Sequence, residues 1–186
     1  MVAKGQVIEN PASGERIVIR ETAADTEGRL LSFDLFLGVG GRVPAGHAHP
    51  AQEETFTVIS GRMRFRRGFR VIRAGPPRRV VMSRGVYHSF ANAGPAPAHV
   101  LVEVRPALRM EEVLELAAEL GRPVDSGRTS LRRILALVLF MREFRRELGL
   151  PLIPPWLIAG VTAPVALTAI LLGRIQRFHS VPVPPG

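Results

Sequence analysis

The 186-residue sequence contains no cysteine and is nearly without lysine, tryptophan and tyrosine. Zero Cys excludes a disulfide framework, thiolate-held zinc or iron–sulfur, and any thiol nucleophile, while leaving the redox compartment open. Lys4 is the single lysine, so 24 of the 25 basic residues are arginine. One Trp and one Tyr give few platforms for stacking bases, and no nucleic-acid module can be recognised. Nucleic acid is therefore the weakest reading of the net charge of +9; anionic lipid, an anionic substrate or an acidic partner are better ones. The opening residues, MVAKGQVIENPASGER, lack the apolar core of a signal peptide, so a cytoplasmic location is expected.

With 46% hydrophobic and 22% charged residues the chain can bury a sizeable core and is not a disordered tail. Its charge is unevenly divided. From Gly121 onward there are 9 Arg against Asp125, Glu143 and Glu147, whereas the first 120 residues carry 16 bases and 13 acids. Two regions of different character result.

Up to Pro106 the chain reads as β. Short runs rich in Val, Ile and Phe (Arg16–Arg20, Leu30–Leu37, Thr55–Ile59, Arg62–Arg66, Phe69–Arg73, Val80–Met82, His99–Val104) alternate with Gly, Pro, Asn and Ser, the pattern of a sandwich or barrel. Within Arg62–Arg66, period-two alternation puts Met63 and Phe65 on one face and three Arg on the other. Arg67-Gly68 suits a tight hairpin turn.

After Pro106 the period becomes helical. Met110, Val113, Leu114 and Ala117 share a face, and Gly121 with Pro123 stops the helix. A second helix is expected over Leu131–Leu148, capped by Thr129 or Ser130 and ended by Gly149. A third apolar segment, 156–172, has 17 residues without a charge. It would span roughly 26 Å as a helix, the short end of a bilayer crossing. Trp156 and Arg174 with Arg177 border it as interfacial anchors would. Pro164 at its middle speaks for the alternative, a helix packed on the barrel or on a second subunit. The expected organisation is thus a β-domain at 1–106 and a helical extension at 107–186.

Chemistry concentrates at Gly41–Glu54. His47 and His49 are one residue apart, so on an extended strand both imidazoles leave the same face. A carboxylate follows, and His88 lies 39 residues beyond His49 at the start of another β-like run. Three imidazoles and a carboxylate form a nitrogen-rich donor set that suits Fe, Mn, Ni, Co, Cu or Zn better than Ca or Mg. Four protein ligands around a six-coordinate ion leave two positions for substrate, water or dioxygen, as catalysis requires.

Gly41, His47, His49, Glu54 and Gly61 stand at the full spacing of the first motif of the cupin superfamily, which this region resembles. Gly85, His88 and Asn92 match the second motif, with Ser83 where that family usually has Pro and Pro77 where it has Gly. The resemblance covers roughly Leu30–Pro106. It implies a mainly β fold, a jelly-roll-like antiparallel barrel of cupin type followed here by a C-terminal α-helical extension. It also implies one divalent transition metal (Fe, Mn, Ni or Zn) held by His47, His49, Glu54 and His88, and a homodimer. Of the two neighbouring carboxylates, Glu54 rather than Glu53 keeps six residues before Gly61, and alternation then sends Phe56 and Val58 into the barrel.

Phe36, Phe56, Val58, Met63, Phe65 and Phe90 are candidate pocket walls, all apolar. Such a pocket favours a metal-dependent enzyme, oxygenase-like, acting on a small hydrophobic or aromatic molecule. The alternatives are a non-catalytic sensor or carrier of a small molecule, and a zinc-dependent isomerase or cyclase. Tyr87, beside a ligand, is either a proton donor or a residue packed at the barrel mouth. Glu103 and His99 share a face of the last strand, either inward as an acid–base pair or outward to water. Gln52 is read as reaching the metal's surroundings or as a turn residue, Asn92 as holding backbone, and His179 as solvated. The Arg62, Arg64 and Arg66 face is read as solvated or as a docking surface for anionic lipid.

Overall fold

The computed structural model describes residues 2–43, 46–122, 137 and 139–149. Nine strands precede a helix: β1 Val7–Asn10, β2 Glu15–Glu21, β3 Leu31–Leu37, β4 Glu53–Ser60, β5 Met63–Arg67, β6 Arg70–Ala74, β7 Arg79–Met82, β8 His88–Asn92, β9 Ala98–Arg105 and α1 Met110–Gly121. All named pairings are antiparallel. A six-stranded sheet runs β1-β2-β3-β9-β4-β7, and a three-stranded sheet runs β6-β5-β8.

Strand alternation explains why the two sheets pack face to face. Leu31, Phe33, Leu35 and Leu37 of β3, Val100, Val102 and Val104 of β9, and Phe56 and Val58 of β4 all turn to one side and are buried. From the smaller sheet Met63, Phe65 and Phe90 meet them, with the Phe56 ring 5.1 Å from Phe65 and 5.2 Å from Phe90. Each fully buried side chain of this size contributes about 1.5–3 kcal/mol of apolar transfer free energy, so these rings dominate the core.

The β4–β5 turn depends on Gly61. Its φ is +82°, and a Cβ there would stand 2.7 Å from the Cα of Ala98, so a side chain would collide with β9. The β5–β6 hairpin turns at Gly68-Phe69, with Gly68 at φ +56°. Phe69 projects from its tip, fully exposed.

The outer face of the larger sheet carries a polar cluster. Asp34 on β3 accepts from Arg20 Nε on β2 at 2.5 Å and meets His99 Nε2 on β9 at 2.6 Å. Burial works to raise the pKa of Asp34, but the bonds and charges of Arg20 and His99 hold it below its ordinary value. Phe36 also belongs to this outer face. It stacks on His99 at 4.5 Å beneath the Arg16 guanidinium, and so corrects its reading as a pocket wall. The alternation that sends Asp34 outward sends Phe36 with it.

The β-region closes at Arg105, and described residues after it pack on the barrel. Ala107, Met110, Val113 and Ala118 join the barrel's own core, as does Phe144. The helix expected over 131–148 ends early. Residues 139–143 are helical, 144–147 form turns, and Gly149 pairs with Ala48 through reciprocal backbone bonds of 2.8 and 2.9 Å. Leu148 N–H still reaches the Phe144 carbonyl at 2.7 Å, while the carbonyls of Arg146 and Glu147 turn to Ala51 and His49, so the last turn closes on the barrel. The segment 156–172 and His179 lie outside the described residues. Among the described residues no helix is long and apolar enough to cross a membrane.

Replacing Phe65, which has no exposed surface, by alanine should cost about 3–5 kcal/mol in urea unfolding. The same change at Phe69 should stay within about 0.5 kcal/mol. Asp34→Asn should cost about 1–2 kcal/mol near neutral pH, at the low end for charged hydrogen bonds because Arg20 is half exposed. Because the folded pKa of Asp34 is depressed, its contribution is complete above the ordinary 3.8 and is lost as pH falls through the lower folded value. The stability curves of wild type and variant should therefore converge in acid, and parallel curves down to the lowest pH would contradict this.

Candidate metal centre

Local chain geometry brings four side chains to one end of the barrel. Arg42 and His47 bridge to Ala91 and His88 on the free edge of β8. His47 and His88 pair as an isolated bridge, their backbone bonds 2.9 and 2.8 Å long. His49 follows two residues later on the same side. Glu54 enters from β4 across the barrel, one position before Thr55 and two before Phe56. The ligand-capable atoms of His47, His49, Glu54 and His88 all lie within 4.8 Å of one another, close to the roughly 4.4 Å that separates opposite donors of one ion bound at about 2.2 Å. Glu53, the neighbouring carboxylate, points out to solvent.

The imidazoles are held in a defined way. His88 Nδ1 lies 3.0 Å from the carbonyl oxygen of Val86, and His49 Nδ1 lies 2.6 Å from that of Glu147. A carbonyl only accepts, so each Nδ1 carries a proton. Facing the acceptor-only Glu54 carboxylate, Nε2 carries one too, and it must give that proton up to offer a lone pair to a bound ion. Both Nε2 atoms converge on Glu54 Oε2, at 3.0 Å from His88 and 3.3 Å from His49. The His49 contact is too poorly aligned to satisfy a hydrogen bond, which leaves its Nε2 as a buried polar atom without a partner. The ring of His47 lies 4.8 Å from that of His49 and 4.5 Å from that of His88.

Electrostatics follow from this burial. Desolvation alone would raise the pKa of Glu54, yet the hydrogen bond of His88 and the close charges of His49 and His88 hold it far below the carboxylate range. Burial works to lower the pKa of His49, but the Glu54 carboxylate and the Glu147 carbonyl keep it above the ordinary value. A negative carboxylate and inward-facing imidazole nitrogens, walled by Phe56 at 6.4 Å from His88, are a donor set that a divalent transition metal fits once each Nε2 has given up its proton. The unpartnered Nε2 of His49 is a donor atom such an ion could take.

The other expected residues take different places. Tyr87 packs against Gly46, and a Cβ there would fall 1.9 Å from the phenol oxygen, so a side chain beside His47 would displace the Tyr87 ring. Glu103 stands on the outer face of β9, paired with Arg105 at 3.0 Å and Arg79 at 3.9 Å, and is not brought to the cluster. His99 is taken up by Asp34. Gln52, wholly buried, donates to the carbonyls of Pro106 and Ala107 and so ties the approach to β4 to the start of the extension. Asn92 holds backbone, donating to Leu37, Gly38 and Ala96 and accepting from Gly94.

Two participants had no signal in the sequence. The carbonyls of Val86 and Glu147 are main-chain groups, invisible to any reading of side chains. Glu15 had a signal that went unused, because alternation puts it on the inward face of β2 with Ile17 and Ile19. Burial pushes its pKa up against the hydrogen bond from Ser13, and the charge of Glu54 adds to the rise.

Residues 35–104 match the family model described as the cupin domain. Among solved structures, a predicted oxalate decarboxylase from Thermotoga maritima is 17% identical, with a TM-score of 0.50, covering 57% of this chain and 99% of that one. KdgF from Halomonas sp. is 14% identical, also with a TM-score of 0.50, covering 59% of this chain and 96% of its own. At these identities the likeness is one of fold. No curated protein matches the chain in sequence.

Metal titration of the purified chain should reach one equivalent of Co or Zn. His88→Ala should weaken it by more than about 100-fold, since loss of a ligand exceeds the 10–100-fold typical of outer partners. Glu53→Gln should leave it unchanged. Equal affinity in all three proteins would remove the centre.

Proposed function

We propose that the cupin domain carried at residues 35–104 makes this chain a metal-dependent enzyme, oxygenase-like, for a small apolar molecule. The observation that carries this reading is the convergence of three imidazoles and one carboxylate at the end of an aromatic-filled barrel. His47, His49, Glu54 and His88 would hold the ion. When bound, such an ion supplies Lewis acidity and, if redox-active, the capacity to activate dioxygen.

The chain's own residues do the rest. The carbonyls of Val86 and Glu147 fix two rings so that Nε2 faces the centre. Phe56, Phe65 and Phe90 keep water from the side away from the mouth. His47 is only partly buried, so a ligand approaches along its side. Glu54 can accept a proton when its contact with the centre loosens. With Glu103 and His99 engaged on the outer face, sugar-type acid–base isomerisation has little support.

The rival reading, a metal-dependent binder without turnover, draws on the same filled barrel, in which Phe56 and Phe65 have no exposed surface and leave little room beneath the cluster. Oxygen consumption by the iron-, manganese- or nickel-loaded chain with catechols, flavonols and β-diketones separates them. Turnover that falls by about 100-fold or more in Glu54→Gln is expected. Binding of these compounds with no oxygen uptake under any metal would favour the binder.

A further inference from the structure

The segment 139–149 lies beyond the cupin match, yet it is bonded to the ligand-bearing strand at four points. Gly149 and Ala48 exchange backbone bonds, Ala51 N–H donates to the Arg146 carbonyl at 3.2 Å, and the Glu147 carbonyl takes the His49 Nδ1 proton. Ala48 lies between two of the ligands. Its N–H and C=O face Gly149, while those of His47 face β8, so residue 149 extends the smaller sheet by one further bridge.

What holds this segment down is on the page as well. Phe144 is buried in the barrel's core, and the Arg109 guanidinium lies 4.8 Å over its ring. Arg109 also bonds Glu143 of the segment and Glu112 of α1, each at 2.6 Å. The Glu147 carboxylate, itself buried, accepts the Arg109 backbone N–H at 3.3 Å. Arg109 therefore joins α1, the barrel end and the returning segment at a single residue.

We infer that the returning segment is a built-in part of the metal centre: Phe144 and Arg109 dock it, and Glu147 is a positioning residue whose carbonyl sets the tautomer and orientation of His49. The inference rests on the reading of the cluster as a metal site, but its geometry also stands without metal. A neutral His49 that loses the carbonyl can turn its ring or hold its one proton on Nε2, and either removes the lone pair from the centre. Metal affinity is thereby coupled to docking of a segment that contributes no ligand side chain.

The test uses the full chain in three forms: wild type, Phe144→Ala and Arg145→Ala. Zinc or cobalt titration should show affinity weakened by about 10–100-fold in Phe144→Ala, the range typical for loss of an outer-shell partner. In Arg145→Ala, which removes an exposed side chain of the same segment, affinity should stay within about threefold. Imidazole ¹⁵N spectra of the metal-free proteins at alkaline pH give a second readout. The His49 proton should sit on Nδ1 in wild type and Arg145→Ala and be shared between the nitrogens in Phe144→Ala. Amide exchange of β5 and β8 reports whether the barrel remains folded.

Should Phe144→Ala unfold the barrel, Arg109→Ala takes its place, with the same shift of the His49 proton expected. Wild-type affinity and an unchanged His49 tautomer in a variant whose 144–149 amides exchange freely would overturn the inference. A wild type that binds no metal, with the tautomer shift still present in Phe144→Ala, would overturn the proposed function and leave the positioning role standing.

Discussion

A carboxylate buried between imidazoles at the end of an otherwise apolar barrel is the constraint on which the structure depends. Moving an unpaired carboxylate out of water costs several kcal/mol even after relaxation, so Glu54 is tolerable only with His49 and His88 against it. That arrangement in turn demands that both rings present Nε2 inward, and each does so because a main-chain carbonyl occupies the proton on the other nitrogen. The pairing leaves His49 Nε2 imperfectly satisfied, a local cost that a divalent ion shared by the donors would remove. Stability and function thus pull in different directions at this end of the barrel, and the aromatic layer of Phe56, Phe65 and Phe90 below it supplies what the site does not.

The topology serves that arrangement. Glu54 comes from the larger sheet, and His47, His49 and His88 come from the edge of the smaller one, so the cluster exists only when the two sheets close on each other. The closure is completed from outside the region that matches the cupin family, by Gly149 on Ala48 and by Glu147 on His49. The described part of the extension is accordingly continuous with the barrel, sharing its core through Ala107, Met110, Val113 and Phe144.

Much of this was legible in the sequence because β-structure writes its geometry with period two. The one-residue spacing of His47 and His49, the alternation Glu54, Phe56, Val58, and the placement of Met63 and Phe65 each translate directly into a face of a strand. The short β1, Val7–Asn10, is hidden in the sequence because its two apolar residues are adjacent and show no alternation. Phe36 was misplaced by its apolar character alone, although Ser32 and Asp34 on the same side of β3 mark that side as outward. The end of the helix at 143 cannot be read, since the carbonyls of the turn that follows bond Ala51 and His49, about a hundred residues away in the chain. Helix propensity and periodicity carry no record of such a partner, just as they carry none of the carbonyls that orient the imidazoles.

The most direct test of the central claim is the X-ray absorption spectrum of metal carried by the chain purified without added ions. A bound transition metal with nitrogen and oxygen donors only, and multiple scattering from imidazole rings, is the predicted result. A chain that carries no metal, or a metal whose spectrum shows no imidazole scattering, would contradict the account.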